Sequence, residues 1–347
     1  MEKIKVGIIG ATGYAGIELI RILLNHPNVT LTALSSVSFE GKAVSEVYPN
    51  LTAICDDVLV NEDIVIEKSD VIFVSLPHGL CEALAYKADS KGKKIIDLGA
   101  DFRLVKEEDY QEWYGLNYQQ KALHQKSCYC IPELHREAIT PEVSIIANPG
   151  CYPTSIALGL APIIKSGLAD LNSIIIDSKS GVTGAGRGLS QTTHYPDCNE
   201  AFSPYKVAQH RHTPEIEQII TQLAQTQTKV TFVPHLLPLN RGIISTIYVN
   251  LTGEVQENAL NCIYDRFYQD EMFVRVLPKG ATANLKHVKF SNYCDISLHY
   301  DARTKRLIIV SAIDNMVKGA AGQAIQNMNI LYHLPEDTGL HLIPPAF

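Results

Sequence analysis

No apolar run in this 347-residue chain approaches the ~20 residues that a bilayer crossing demands. Its eight cysteines contain no CxxC pair and no disulfide-framework spacing. In a chain of this length that pattern points to reduced thiols and a cytoplasmic location. Cys128 and Cys130 share one face of a strand, but without a second such pair they do not make a zinc site. Blocks of like charge are missing too. Lys and Arg total 30 against 37 Asp and Glu, a formal −7 spread along the chain. That balance argues against nucleic acid or an anionic membrane as a partner. No repeat or low-complexity linker is present, and Met1–Val6 enters a strand with no signal-peptide pattern. The length suits two domains, each able to bury its own core.

The pattern that is present begins at the N-terminus. Lys5–Ile9 reads as a buried strand, Ala15–Asn25 as an amphipathic helix and Val29–Leu34 as a second strand, which together make a βαβ unit. Between strand and helix lies Gly10-Ala11-Thr12-Gly13-Tyr14-Ala15-Gly16. Its spacing is GxxGxxG, but the mechanics match the dinucleotide fingerprint: a tight turn, an approachable backbone and a helix N-terminus facing an anion. Gly10, Thr12, Gly13, Tyr14, Ala15 and Gly16 are therefore candidate cofactor ligands. After the second strand, Ser35-Ser36-Val37-Ser38 and Lys42 stand where an NAD enzyme usually has a carboxylate. Hydroxyls and a cation suit the 2′-phosphate of NADP, with Glu40 as a counter-argument; the same residues also fit an ordinary serine-rich loop.

Strands continue to alternate with helices. Asp70–Ser75 ends in Leu76-Pro77-His78-Gly79, and Lys94–Leu98 ends in Gly99-Ala100-Asp101-Phe102-Arg103. This predicts a Rossmann-type doubly wound parallel sheet, whose ligands lie beyond the carboxyl ends of the strands. Ser75 and Pro77 should then touch the cofactor and Arg103 the substrate, although Arg103 also fits a surface anchor and His78 simple turn punctuation.

Asn148-Pro149-Gly150-Cys151-Tyr152-Pro153-Thr154 follows an apolar strand and opens a helix. The unpaired N–H groups and dipole of a helix N-terminus favour a thiolate and can hold an oxyanion formed on a carbon bonded to it. Cys151 is thus a candidate nucleophile, against the alternative of a small buried hydrophobe. Ser173–Asp177 reads as a strand leading into a glycine-rich loop, Ser178–Gly188, whose Lys179 and Arg187 suit an anionic substrate. Further on, Thr213 reads as the N-cap and Pro214 as the first residue of a helix reaching about Gln225. His210 and His212 precede that helix, whose dipole disfavours imidazolium and so suits a general base. Without a third ligand, HxH does not make a metal site. Antiparallel strands at Thr228–Val233, Gly242–Leu251 and Leu307–Ile313 predict a second α/β domain with a mostly antiparallel mixed sheet. A last helix is expected from Met316 to Tyr332, its small residues Gly319, Ala320, Ala321 and Gly322 permitting close approach. Asn315 is placed to bond the nicotinamide amide. Residues 1–147 and 314–347 are read as the nucleotide domain, and 148–313 as the catalytic and oligomerisation domain.

Gly7–Gly16, Asp97–Arg103, Asn148–Thr154, His210–Glu215 and Asp314–Ala324 together resemble the type 1 N-acetyl-gamma-glutamyl-phosphate reductase family of the semialdehyde dehydrogenase superfamily. The resemblance spans essentially the whole chain. Its specific parts are Asn-Pro-Gly-Cys and His-Arg-His-Thr-Pro-Glu; aspartate-semialdehyde dehydrogenases carry a different cysteine motif. It implies a second domain like the C-terminal domain of glyceraldehyde-3-phosphate dehydrogenase and a homo-oligomer, dimer or tetramer. It also implies NADP-dependent reduction of an acyl phosphate in arginine biosynthesis, with Cys151 as nucleophile and His210 as acid/base. Substrate would be held by Arg103, Asn148, Lys179, Ser180, Gly181 and His212, and cofactor by the glycine loop with Ser35, Ser36, Ser75, Pro77 and Asn315; no metal is expected. Two other readings remain: reduction of an aminoadipyl phosphate in lysine biosynthesis, and a non-catalytic dinucleotide sensor.

Overall fold

The computed structural model describes residues 2–253 and 255–346. The chain forms two compact units. One is built from Met1–Pro149 with Ala320–His341, the other from Gly150–Gly319 with Leu342–Phe347.

The first unit holds six strands: β1 (Ile4–Ile9), β2 (Val29–Ser35), β3 (Val71–Val74), β4 (Lys94–Asp97), β5 (Ser127–Tyr129) and β6 (Ile145–Ala147). Their order is β2-β1-β3-β4-β6-β5, and every pairing is parallel. This is the expected doubly wound sheet. The central strands are apolar on both faces, as a parallel sheet covered by helices requires, with Val71, Ile72, Phe73 and Val74 all inaccessible to solvent. Helices α1 (Tyr14–Leu23), α2 (Glu62–Lys68) and α3 (Cys81–Asp89) supply the crossovers. The C-terminal helix Gly322–Leu331 also belongs here. It buries amides as well as apolar Ala324, Ile325 and Met328: Gln326 donates to Glu133, Asn327 to the Cys130 carbonyl, and Asn329 to the Glu336 and Thr338 carbonyls.

The second unit carries a seven-stranded mixed sheet. In chain order the strands are β7 (Ile175–Gly181), β8 (Ser203–Pro204), β9 (Thr231–Leu237), β10 (Ile243–Asn250), β11 (Val274–Val276), β12 (Cys294–Asp301) and β13 (Arg306–Ile313). Their spatial order is β11-β12-β13-β10-β7-β9-β8. Four pairings are antiparallel, and β7 with β9 and β11 with β12 are parallel. Against this sheet lies α4 (Cys151–Lys165), with α5 (Thr213–Ala224) and α6 (Glu257–Tyr268) beside it. Small residues let α4 approach closely: a Cβ on Gly159 would lie 3.0 Å from Ile247, and Ser155 bonds the hydroxyls of Ser245 and Ser311.

Three local expectations change. β7 continues through Lys179, Ser180 and Gly181, which the sequence assigned to a loop; Ser178 and Ser180 are buried on its inner face, and Ser178 is satisfied by Ser245 at 2.7 Å. Buried serines in a hydroxyl ladder do not show as an apolar alternation. Helix α5 starts one residue early, with His212 at the cap and Thr213 as its first residue. Pro214 fits the second position equally well, because no N–H in the first turn has an intrahelical partner. The last helix opens with one π turn, Val317–Ala321, before turning α-helical at Gly322.

Candidate active site

In the first unit the three loops at the carboxyl ends of β1, β2 and β3 converge. Gly10 has φ +83°, and a Cβ there would stand 2.3 Å from the Ser75 carbonyl. A Cβ on Gly16 would lie 2.3 Å from the Gly10 carbonyl. Both glycines are therefore demanded by space, and Gly10 by conformation as well. The Gly10 and Ala11 N–H groups donate to the Ser35 carbonyl, and the hydroxyls of Thr12 and Ser36 are 2.7 Å apart. Gly13 caps α1, whose first-turn N–H groups at Tyr14, Ala15 and Gly16 lack intrahelical partners by geometry. A cradle lined by glycines, two hydroxyls and a helix N-terminus fits a pyrophosphate. The Ser75–Gly79 turn is fastened by buried Asp101, which accepts from the Gly79 and Cys81 N–H groups and the Tyr110 hydroxyl. Pro77 is exposed at its tip.

Two expected substrate ligands of this unit are committed internally. Arg103 is buried and donates to the carbonyls of Asn148 and Leu98. The Asn148 amide donates to the Ala320 carbonyl and accepts from Asn327. Both brace the chain that leads to Pro149. Asp97, also in that brace, has its carboxyl pushed up to about 7 by burial and by Asp101.

In the second unit Cys151 is the first residue of α4, half-buried, with Gly150 as the cap. Glu215, wholly buried on α5, accepts the Gly150 N–H at 2.8 Å and so ties the start of α4 to the first turn of α5. The His210 ring lies in a cage of aromatic rings formed by Tyr152, Tyr205, His212 and Phe232. Its Nδ1 accepts the His212 N–H at 3.1 Å. Its Nε2 lies 3.3 Å from the Tyr205 hydroxyl, which itself donates to the Tyr152 hydroxyl at 3.1 Å. With Tyr205's single proton used there, its oxygen accepts at His210. Both bonds therefore place the ring proton on Nε2. The imidazole is held down to about 3, by burial first and then by Lys206 and Arg211. Burial and these two cations keep it neutral. The loop that delivers His210 is strained, with Lys206 at φ +45° and Ala208 at φ +57°.

Burial raises the Tyr152 and Tyr205 phenols first, Tyr205 adds to the rise at Tyr152, and charge on Cys151 adds to both, so the thiol belongs to this cluster. Ser180 joins it through a hydrogen bond with Tyr152. Lys179 does not offer a bare cation: its Nζ lies 2.8 Å from Asp177, which also faces His235. Gly181 is compelled by the Asn240 carbonyl, 2.5 Å from where its Cβ would be. The Asn315 amide oxygen accepts the Gly242 N–H, and its nitrogen donates one hydrogen to the Thr183 hydroxyl. Among the described residues no group of three or more His, Cys, Asp or Glu side chains could hold a metal ion.

Comparison with known proteins fits this arrangement. Residues 5–141 match the family model described as semialdehyde dehydrogenase, NAD binding domain, and residues 151–315 the model of the semialdehyde dehydrogenase dimerisation domain. The N-acetyl-gamma-glutamyl-phosphate reductase of Clostridium botulinum is 56% identical over 344 residues, covering 99% of this chain and 100% of that protein. The one from Brachyspira hyodysenteriae is 58% identical with the same coverage. The chain belongs to the N-acetyl-gamma-glutamyl-phosphate reductase family. Its fold is shared with aspartate semialdehyde dehydrogenase II of Vibrio cholerae in complex with ASA (TM-score 0.74, 16% identity, 96% of this chain and 99% of that one). It is shared too with the aspartate semialdehyde dehydrogenase of Candida albicans with NADP (TM-score 0.71, 16% identity, 95% and 99%).

Tyr152, Tyr205 and Glu215 are the members of this reductase's cluster that sequence reasoning passed over. Tyr152 lay in plain view beside the cysteine. Glu215 is an acidic residue in the first turn of α5, where carboxylates are ordinary, and only its complete burial and its bond to Gly150 reveal another role. Tyr205 carries no motif signal.

Proposed function

We propose that this chain catalyses the NADPH-dependent reductive dephosphorylation of N-acetyl-gamma-glutamyl phosphate to N-acetylglutamate 5-semialdehyde and phosphate, through a thioester on Cys151. The observation that carries this reading is the placement of a half-buried thiol on the first residue of α4, beside a neutral His210–Tyr205–Tyr152 chain. The Cys151 sulfur attacks the acyl carbon. The tetrahedral oxygen that forms is met by N–H groups at the α4 N-terminus and by Nε2–H of His210, which leaves the Tyr205 hydroxyl oxygen to reach it. Collapse expels phosphate, which carries away the thiol proton, and leaves the thioester. Reduced NADP, when bound, supplies hydride to the thioester carbon. The same donors hold the second oxyanion until it collapses to the aldehyde and returns the thiolate, which takes a proton from water to restore the starting thiol. This narrows the acid/base role implied by the resemblance: His210 acts as a neutral hydrogen-bond donor. To take the thiol proton at Nε2 it would first need a proton on Nδ1, pointing at the His212 N–H.

The cofactor cradle comprises Gly10, Thr12, Gly13, Tyr14, Ala15 and Gly16, with Ser35 and Ser36 toward the 2′-phosphate and Ser75 and Pro77 along its edge. Ser180, Gly181 and His212 complete the substrate side. Asn148, Arg103 and Asn315 act by holding backbone in place. The enzyme works as a cytoplasmic homo-oligomer. This is supported by the match of residues 151–315 to a dimerisation domain and by exposed Leu189, Tyr195 and Phe202 on the second unit. No helix among the described residues is long and apolar enough to cross a membrane.

The reverse reaction tests the assignment: N-acetylglutamate semialdehyde, phosphate and NADP should give NADPH absorbance. Activity confined to aminoadipate semialdehyde would instead move the enzyme to lysine synthesis, and inactivity with both would leave a dinucleotide sensor.

A further inference from the structure

We propose that Gly319 is a positioning residue for Cys151, pressed against it by the π turn at the end of the second unit. This rests on the reading of Cys151 as nucleophile. The Gly319 N–H donates to the Asp314 carbonyl five residues back, at 3.0 Å, which is the bond of a π turn rather than an α turn. Asp314 is wholly buried and clamps the turn. Its carboxylate accepts from the N–H groups of Met316 (2.8 Å), Val317 (3.2 Å) and Phe290 (2.6 Å), and Arg241 lies 3.6 Å away. The widened turn carries Gly319 onto the nucleophile: a Cβ there would lie 2.7 Å from the Cys151 Cβ, 3.2 Å from its Cα and 3.3 Å from Ile313. Real Cβ atoms essentially never approach so closely, and neither Cys151 atom is the far end of a flexible chain. The Gly319 backbone thus closes one side of the Cys151 Cβ and limits where the sulfur can turn, holding it on the α4 N-terminus.

Gly319→Ala tests this. It should lower kcat by about tenfold or more, as misplaced reacting groups do, with little change in the KM for acyl phosphate. The pH midpoint for iodoacetamide alkylation of Cys151, followed by mass spectrometry, should rise by about half a unit or more as the sulfur leaves the helix terminus. Gly253→Ala, where a Cβ meets open space, should leave both at their wild-type values. A thermal double-mutant cycle covers the case in which Gly319→Ala is too unstable to assay. Removing the Cys151 side chain with Cys151→Gly should relieve most of the Tm loss that Gly319→Ala causes. Equal Tm losses in both backgrounds, or an unchanged alkylation midpoint with kcat within about twofold of wild type, would overturn the proposal. The alkylation and thermal readouts report geometry alone, so they stand apart from failure of the nucleophile assignment, which Cys151→Ser reveals by retaining turnover.

Discussion

Consider His210 across pH. Burial, Lys206 and Arg211 hold its imidazole near 3 in the folded enzyme, against an ordinary 6.5. At pH 5 only about one folded molecule in a hundred carries the proton, whereas the unfolded chain is almost fully protonated there. Two consequences follow. First, the group stabilises the fold fully above pH 6.5. That contribution fades as pH falls toward 3, because the unfolded state gains a proton that the folded state refuses; the slope approaches about 1.4 kcal/mol per pH unit. Urea unfolding of the wild type and of His210→Gln between pH 7 and pH 5 should therefore differ in slope, the variant losing less stability on acidification. Second, kcat should show no acidic limb from this histidine between pH 5 and 7. His210→Ala should still lower kcat about 10²–10³-fold, the usual cost of one oxyanion donor. Steady-state rates with NADPH and acyl phosphate over that range provide the assay. A wild-type limb near pH 6 to 7 that vanishes in His210→Ala would refute the neutral-donor role and return His210 to proton transfer.

Cys151→Ser should abolish turnover while leaving NADPH binding by fluorescence intact, because a hydroxyl near neutral pH lacks the anionic character of a helix-terminal thiol; substantial residual rate would sink the thioester route. Ser36→Asp should weaken NADPH more than NADH in titration, since a carboxylate repels the 2′-phosphate; equal weakening would remove the basis for the cofactor preference. Glu215→Leu strands the Gly150 N–H in the interior and should cost about 1–3 kcal/mol in urea unfolding, with Glu215→Gln restoring most of it. Gly10→Ala should prevent cofactor binding in calorimetry, as its Cβ would meet the Ser75 carbonyl at 2.3 Å.

Much was legible in one dimension because local physics writes it there. Continuous apolar strands alternating with helices announced a parallel sheet, and the glycine loop lay where a strand hands over to a helix. Cys151 was visible because its turn, cap and helix all lie within a few residues of it. What the sequence could not show depends on partners far along the chain. Ser178 and Ser180 belong in a strand because Ser245, on another strand, satisfies the buried hydroxyls of the inner face. Asn148, Arg103 and Asn315 have ligand-like chemistry, yet each also bonds carbonyls or amides folded in from elsewhere, which no local spacing shows. Asp177, two residues away on one face of β7, occupies Lys179. The proton on Nε2 of His210, the carboxylate of Glu215 beneath Gly150 and the pressure of Gly319 on Cys151 arise from packing. Sequence spacing decides which groups can form an element; only tertiary structure decides which of their hydrogen bonds, charges and faces are left for a substrate.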